Sequence, residues 1–264
     1  MTQHALDLSG REALITGASG YLGREICFAL AQAGAHVLVN ARTVSRCANL
    51  VAEIKDRGAS ASAAPFDITN EAAVADFAAR RSDKPLHILI NNAYAGGGGT
   101  IATAPPEAFR NAFECGVVGP HNLFHSLLPQ LRMGRKEADD ASVINIASMY
   151  GLVSPDLRNY DTAEGSNPPF YGAAKAALLQ YTRYAACEFG PEGIRVNAIA
   201  PGPFPAPDIQ LTRAEFIQDL AARVPLGRIG QAPEIGGPVT FLASPAASFV
   251  TGTVLPVDGG WTCW

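Results

Sequence analysis

Near the start of the chain, residues 13–23 read Ala-Leu-Ile-Thr-Gly-Ala-Ser-Gly-Tyr-Leu-Gly. The apolar run at 13–16 predicts a short buried strand, and the residues after it begin a helical pattern. Gly17, Gly20 and Gly23 allow the backbone to turn sharply and to approach a ligand closely. The helix N-terminus offers free N–H groups and a positive dipole end to a pyrophosphate. The segment therefore predicts a nucleotide-binding loop, although a plain turn also fits its G-x-x-G-x-x-G spacing.

The same order of elements repeats along the chain. Apolar runs predict strands at 13–16, 36–40, 60–66, 86–90, 142–147, 195–200 and 254–257. Helical patterns separate them at 21–33, 44–56, 70–81, 106–131, 170–188, 212–222 and 233–242. Because the strands are apolar runs with little strict alternation, the sheet should be parallel and covered on both faces. We therefore predict an α/β fold, with one domain over residues 1–264.

Composition excludes several classes of protein. The 264 residues are 48% hydrophobic and 17% charged, with a formal net charge of −4, which excludes a disordered chain. The mild acidity gives no electrostatic reason to expect nucleic acid or an anionic membrane as a partner. Glycines and prolines interrupt the uncharged stretch 235–257, so no membrane span is predicted there. Five scattered cysteines and a start without a signal-peptide pattern predict a soluble cytoplasmic protein with free thiols.

The end of the second predicted strand bears on the choice of nucleotide. An acidic residue about 20 residues beyond the glycine-rich loop would accept the ribose hydroxyls of NAD, and none stands between His36 and Arg46. Arg42 could instead pair its planar guanidinium with a 2′-phosphate. The alternative is a solvated surface arginine. We therefore expect NADP(H) in preference to NAD(H).

Three residues could perform hydride chemistry together. Tyr171 and Lys175 are four residues apart in a predicted helix and lie on one face of it. Ser148 follows the fifth strand, whose carboxyl end should line the ligand crevice. Tyr171 could give a proton to a carbonyl oxygen, Ser148 could hydrogen-bond that oxygen, and Lys175 could stabilise tyrosinate by its charge. A tyrosine and a snorkelling lysine on an ordinary helix would give the same spacing.

With these residues in this order, the chain resembles the short-chain dehydrogenase/reductase family in its single-domain form. The resemblance extends over nearly the whole chain and rests on 16–23, Asp67, Asn91-Asn92-Ala93, the trio Ser148, Tyr171 and Lys175, 195–202 and 252–260. It implies a single-domain Rossmann fold with a doubly wound seven-stranded parallel sheet and helices on both faces. It also implies an oxidoreductase that interconverts a ketone or aldehyde and an alcohol by hydride transfer, with Tyr171 as general acid/base.

The resemblance assigns roles residue by residue. Ser148, Tyr171 and Lys175 correspond to the catalytic residues, and no metal is implied. The implied cofactor-binding residues are Gly17, Ser19, Gly20, Tyr21, Leu22, Gly23, Arg42, Asp67, Ile68, Asn92, Ala93, Tyr171, Lys175, Pro201, Gly202 and Phe204. The expected partner is a small-molecule carbonyl or alcohol, and the two long helices are expected to form a homotetramer or a dimer.

The chain departs from the family pattern at several positions. Tyr21 and Tyr94 stand where glycine is usual, and a threonine is missing after Pro201-Gly202. Gly116 replaces an asparagine whose backbone carbonyl holds a water leading to the lysine. Because glycine keeps the carbonyl and tolerates a helix kink, we expect a modified proton relay.

An insertion, residues 154–167, lengthens the interval between Ser148 and Tyr171. We expect this polar loop to overhang the pocket, where Arg158, Asn159 or Tyr160 would touch a polar substrate. A solvated loop or a subunit contact is the alternative.

Two other functions remain open. A catalytically silent NADP(H)-binding sensor fits Gly116, and a sugar-nucleotide epimerase or dehydratase fits the glycine spacing. The substrate itself is not specified, because the fold does not fix the function.

Other histidines and tryptophans have simpler interpretations. His121 and His125 have a zinc-compatible spacing without a convincing third ligand, so a surface or subunit contact is expected. His87 should be a core histidine. Trp261 and Trp264 could pack across a subunit boundary.

Overall fold

The strands form one parallel sheet. A computed structural model describes residues 5–264. Its strands are β1 (Glu12–Ile15), β2 (His36–Val39), β3 (Ala61–Ala63), β4 (Ile88–Asn91), β5 (Ala141–Ile146), β6 (Ile194–Pro201) and β7 (Val254–Val257). Their order is β3-β2-β1-β4-β5-β6-β7, and all neighbours are parallel. The winding direction reverses between β1 and β4, so a ligand crevice is expected at the carboxyl ends of these strands.

Helices cover both faces of the sheet. They are α1 (Tyr21–Gln32), α2 (Val44–Asp56), α3 (Glu71–Ala79), α4 (Pro106–Phe113), α5 (Gly119–Ala138), α6 (Pro169–Phe189), α7 (Pro207–Thr212), α8 (Ala214–Arg223) and α9 (Gly236–Ala243). Successive side chains of a strand point to opposite faces. Ile15 accordingly packs with residues of α1, α2 and α9, and Leu14 with residues of α3, α5 and α6. The predicted doubly wound, seven-stranded α/β fold is confirmed.

The helix predicted over 106–131 is interrupted and longer than expected. Residues Glu114–Val118 form a π-helical turn between α4 and α5, and α5 continues to Ala138. The turn lies directly before Pro120, which has no N–H to donate to the carbonyl of Gly116. Gly116, expected to tolerate a helix kink, lies within this turn.

Two other elements differ from the sequence prediction. β3 is shorter than the predicted 60–66. The helix predicted at 212–222 is divided, because the chain leaves helical geometry at Arg213, and a preceding helix, α7, begins at Pro207. The fixed φ of proline favours that first helical position.

The structure shows no helix among residues 5–264 that is long and apolar enough to cross a membrane. The predicted absence of a leader also concerns residues 1–4, which lie outside the described residues.

Candidate active site

A cavity of about 630 Å³ opens at the carboxyl ends of the central strands. The structure brings the predicted catalytic and cofactor-binding residues into its wall. These residues are Gly17, Ser19, Gly20, Tyr21, Leu22, Gly23, Arg42, Asp67, Ile68, Asn92, Ala93, Ser148, Tyr171, Lys175, Pro201, Gly202 and Phe204. The strand ends of β1, β2, β4, β5 and β6 therefore converge on one site.

The glycine-rich loop is held by the end of β4. Thr16 Oγ1 accepts hydrogen bonds from the backbone N–H groups of Asn92 (2.9 Å) and Ala93 (3.1 Å). The Asn92 side chain donates to the carbonyls of Thr16 and Gly17 at 3.0 and 3.1 Å. Gly17 has φ +61°, and a Cβ on it would lie 2.8 Å from the Ala93 Cα. The close approach of the two segments therefore requires glycine here.

The N-terminus of α1 fits a pyrophosphate. Its N-cap residue, Gly20, makes no side-chain capping bond, and the first turn contains no acidic residue. Gly23 lies directly over the Gly17 carbonyl, and a Cβ on it would lie 2.7 Å from Asn92 Nδ2. The loop thus brings free backbone N–H groups to the cavity in a fixed geometry.

Two arginines line the far end of the cavity. Arg42 lies just before α2 and Arg46 in its first turn, and both side chains are exposed. The residue at the end of β2, Asn40, is buried and donates to the carbonyls of Ala64 and Phe66 at 2.9 and 3.1 Å. Asn40 therefore connects β2 to the segment after β3. The positive charge at this end of the cavity comes from Arg42 and Arg46. Sequence reasoning missed Arg46, although it is the next charged residue after Arg42 along the chain.

The predicted catalytic residues meet at the centre of the cavity. Lys175 is buried, and its Nζ donates to the Ile146 carbonyl at 2.7 Å. The Ser148 Oγ accepts the Tyr150 N–H at 3.1 Å and is hydrogen-bonded to Tyr171. Ser148 and Ile146 belong to the end of β5, while Tyr171 and Lys175 lie on one face of α6.

Burial dominates the electrostatics of this trio. It raises the pKa of Tyr171 above its usual value, and the hydrogen bond with Ser148 opposes that shift. Burial also lowers the pKa of Lys175 to about 8. Both shifts disfavour the charged form, as expected when ionisable groups lose water. The direction for Tyr171 is opposite to the lowering that a neighbouring ammonium would cause by itself.

Several wall residues were not predicted to belong to the site. They include Asn40, Ala41, Arg46, Phe66, Thr69, Tyr94, Ala95, Asn111, Glu114, Cys115, Ile146 and Ala147. Tyr94 was noticed in the sequence only as a departure from glycine. Its bulk directly after the Asn91-Asn92-Ala93 segment was the signal that could have placed it in the cavity.

The residues of the insertion do not line the cavity. None of Arg158, Asn159 and Tyr160 lines it. The Arg158 side chain pairs with Asp156 at 2.7 Å, and Asn159 is buried. The Tyr160 ring packs 5.7 Å from Phe216 of α8. The insertion therefore packs against α8, and a contact of these three residues with substrate stays a prediction.

The histidines have local partners. The rings of His121 and His125 are 6.2 Å apart, and His121 Nδ1 lies 3.2 Å from the Tyr181 hydroxyl. His87 is buried and accepts the Glu12 N–H at 3.1 Å. Across residues 5–264 no group of three or more His, Cys, Asp or Glu side chains is placed to hold a metal ion.

Comparisons with known proteins match almost the entire chain. A family model described as enoyl-(acyl carrier protein) reductase matches residues 17–262. The 7alpha-hydroxysteroid dehydrogenase of Escherichia coli (strain K12) is 37% identical over 261 residues, covering 97% of this chain and 95% of that protein. The rhamnolipids biosynthesis 3-oxoacyl-[acyl-carrier-protein] reductase of Pseudomonas aeruginosa is 34% identical over 266 residues, covering 96% and 97%.

The chain is also similar to solved structures. One is a gluconate 5-dehydrogenase from Burkholderia cenocepacia in complex with NADP and tartrate. It superposes with a TM-score of 0.88 at 28% identity, covering 100% of both chains.

Proposed function

Because the chain belongs to the short-chain dehydrogenase/reductase family of oxidoreductases, which act on CH–OH or C=O groups, we propose that it is an NADP(H)-dependent enzyme. It interconverts a small-molecule ketone or aldehyde and the corresponding alcohol. The observation that carries the proposal is the meeting of Ser148, Tyr171 and Lys175 with the glycine-rich loop in one cavity. A loop for the cofactor and groups for proton transfer are thereby side by side, in one domain over residues 1–264.

The trio divides the work on the substrate oxygen. When bound, the nicotinamide cofactor supplies or accepts the hydride at the carbonyl carbon. Tyr171 donates the proton to the carbonyl oxygen during reduction and accepts it during oxidation. Ser148 orients that oxygen by a hydrogen bond. Lys175 stabilises the tyrosinate that remains and holds the nicotinamide ribose.

The remaining wall residues suit the rest of the cofactor. Gly17, Ser19 and the residues 20–23 would hold the pyrophosphate, and Asp67 with Ile68 would contact the adenine. Asn92, Ala93 and the segment 201–204 would border the nicotinamide.

Arg42 and Arg46 support NADP(H) over NAD(H). They line the end of the cavity where the 2′-phosphate would lie, and no carboxylate follows β2 to receive a ribose hydroxyl. The related Burkholderia cenocepacia structure contains NADP.

The two alternatives have less support. A silent sensor needs no convergence of Ser148, Tyr171 and Lys175. A sugar-nucleotide epimerase or dehydratase is favoured only by the glycine spacing. The substrate class stays open between acyl thioesters, steroids and polyols, since similar proteins act on such different compounds.

Tyr171→Phe tests the proposed function. We expect NADPH consumption with a panel of ketones and aldehydes to fall by about 10²-fold or more, because the general acid is removed. Binding of NADPH, measured by fluorescence, should persist. Tyr184→Phe, on the exposed side of the same helix, is the matched control. Turnover that survives in Tyr171→Phe would contradict the mechanism, and binding without any turnover in the wild type would favour the sensor.

We further propose a homotetramer or dimer in the cytoplasm. The π-helical turn before α5 exposes Val118, and α6 exposes the ring of Tyr184, which a second copy could cover. All five cysteines are free, as suits a reducing compartment. Light scattering measures the assembly against the 27.6 kDa of one chain, and cell fractionation measures the location.

A further inference from the structure

The ring of Tyr94 lies against both proton-handling residues. Its centroid is 4.9 Å from the Tyr171 ring in an edge-to-face arrangement with an interplanar angle of 75°. The Lys175 Nζ lies 5.1 Å from the same Tyr94 centroid and 5.7 Å from the Tyr171 centroid. These separations are within the range of aromatic pairing and of cation–π attraction. Tyr94 therefore fixes the orientation of one residue and contacts the charge of the other.

Gly116 provides the space for this ring. A Cβ on Gly116 would lie 3.6 Å from Cδ2 and Cε2 of Tyr94 and 3.4 Å from the Ala174 Cβ. There is thus room for a methyl group but for no further atom toward the ring. The π-helical turn Glu114–Val118 brings the Gly116 backbone to this point. Tyr94 and Gly116 are consequently a matched pair, because a longer side chain at 116 would displace the ring.

The ring matters more than the hydroxyl. Within the described part of the chain, the Tyr94 hydroxyl is buried without a hydrogen-bond partner. Lys175 has three donor positions, and the hydrogen bond that the structure gives its Nζ goes to the Ile146 carbonyl. The aromatic face takes a place that water or a polar side chain would otherwise take.

We propose that Tyr94 is a positioning residue for the proton transfer, whose ring seats the Lys175 ammonium beside Tyr171 in the space left by Gly116. This inference rests on the proposed function. The titratable groups that face Lys175 are Tyr171 on its own helix, Tyr94 after β4 and Cys115 in the π-helical turn. Of these, Tyr94 contributes a ring face that favours the charged lysine.

The first test compares Tyr94→Leu with Tyr94→Phe in alcohol oxidation. Tyr171 must then accept a proton, so kcat rises with pH. Without the Tyr94 ring, Lys175 stabilises the Tyr171 anion less. The rising limb of the plot of kcat against pH should therefore move to higher pH, by about half a unit to one unit. Tyr94→Phe keeps the ring and should keep the wild-type limb. Phe249→Leu, a fully exposed aromatic, is the control for the substitution type.

Two kinetic results would overturn the inference. One is a limb unchanged in Tyr94→Leu while only KM or thermal stability changes, which would indicate a packing role. The other is an equal shift in Tyr94→Phe, which would assign the effect to the hydroxyl.

Gly116→Asn provides a second test. It should lower kcat more in the wild-type background than in Tyr94→Gly, because the second background removes the ring that the longer side chain would meet beside Ala174. Additive effects would argue against the matched pair.

A measurement without turnover separates this inference from the proposed function. The chain has four lysines, so the carbon-13 signal of Lys175 can be assigned with Lys175→Arg and titrated by NMR. Its midpoint should fall in Tyr94→Leu and stay unchanged in Tyr94→Phe. Identical midpoints in all three proteins would refute the seating of the ammonium, even if no alcohol is oxidised.

Discussion

Desolvation sets the starting state of the residues at the centre of the cavity. Tyr171 is protonated at neutral pH because burial raises its pKa. Lys175 remains mostly charged there, since its lowered pKa of about 8 still exceeds neutrality. A protonated tyrosine beside an ammonium is ready to donate to a carbonyl oxygen. Under the proposed function, reduction therefore suits neutral pH, whereas oxidation needs Tyr171 to lose its proton first.

Arg42 and Arg46 allow a direct test of nucleotide choice. In the proposed complex with NADP(H), replacing either by alanine would remove a charge-assisted contact to the 2′-phosphate, which contributes about 1.5–3 kcal/mol. The Kd for NADPH should therefore rise by about 10- to 100-fold for each variant. The Kd for NADH should change little, because NADH lacks that phosphate. Isothermal calorimetry with both nucleotides measures the difference.

Arg110→Ala is the matched control for these two variants. Arg110 is likewise exposed, but its partner is Glu107 at 3.0 Å and it does not line the cavity. Equal losses for NADPH and NADH in Arg42→Ala would show that the arginine supports the loop rather than the phosphate. An unchanged Kd for both would make Arg42 an ordinary surface residue.

Among the elements, the glycine run after β4 supports the insertion. The Gly99 N–H donates to the Ser166 carbonyl at 3.1 Å. Gly98 lies so close to the Glu164 carbonyl that no Cβ fits, whereas Gly97 has open space around it. The insertion therefore packs against this glycine run. The close contact requires glycine at position 98 but not at position 97.

Gly98→Ala should loosen the insertion. The added methyl group meets the Glu164 backbone, and overpacking of this kind costs about 1–3 kcal/mol. We expect faster cleavage within residues 154–167 in limited proteolysis and a lower melting temperature. Gly97→Ala, one residue away with no neighbour within 4 Å, should leave both unchanged. Similar cleavage rates in the two variants would mean that the insertion does not depend on this contact.

The elements were predictable from sequence to different degrees. Strand and helix positions around 13–23 followed from apolar runs and glycines because those signals are local. The π-helical turn was not predicted, because a glycine or a proline in a helical pattern does not specify which kind of interruption follows. The position of the insertion depended on long-range contacts such as Asp156 with Arg223, which a sequence pattern does not encode.

In the whole molecule, the reversal of strand order brings the site together. Chemistry-bearing residues follow β1, β2, β4, β5 and β6, and parallel strands deliver all of them to one edge of the sheet. The convergence of predicted residues was accessible from sequence for this reason. The contact between Tyr94 and Gly116 could not be predicted from sequence. It joins two segments whose distance in space is not specified by any periodic pattern.

At the amino ends of the strands, opposite the cavity, a buried histidine makes the stability of the fold depend on pH. His87 is buried just before β4, and burial lowers its pKa below the usual value of 6.5. Arg11 acts in the same direction, while Glu137 and Asp140 oppose it. The unfolded chain therefore binds this proton more readily than the folded one. The contribution of neutral His87 to the free energy of unfolding is fully present above about pH 6.5. It is lost as the pH falls through the pKa of His87 in the folded state.

His87→Asn should reduce this acid sensitivity. Asparagine keeps an acceptor for the Glu12 N–H but does not titrate in this range. We expect the free energy of unfolding of the wild type to fall faster below about pH 6.5 than that of the variant, by up to about 1.4 kcal/mol per pH unit. Urea titrations across that range measure the two slopes. His121→Asn, at an exposed histidine, should retain the wild-type slope. If His87→Asn also retains the wild-type slope, the proton taken up in acid belongs to another group. His87 then has no part in the pH dependence.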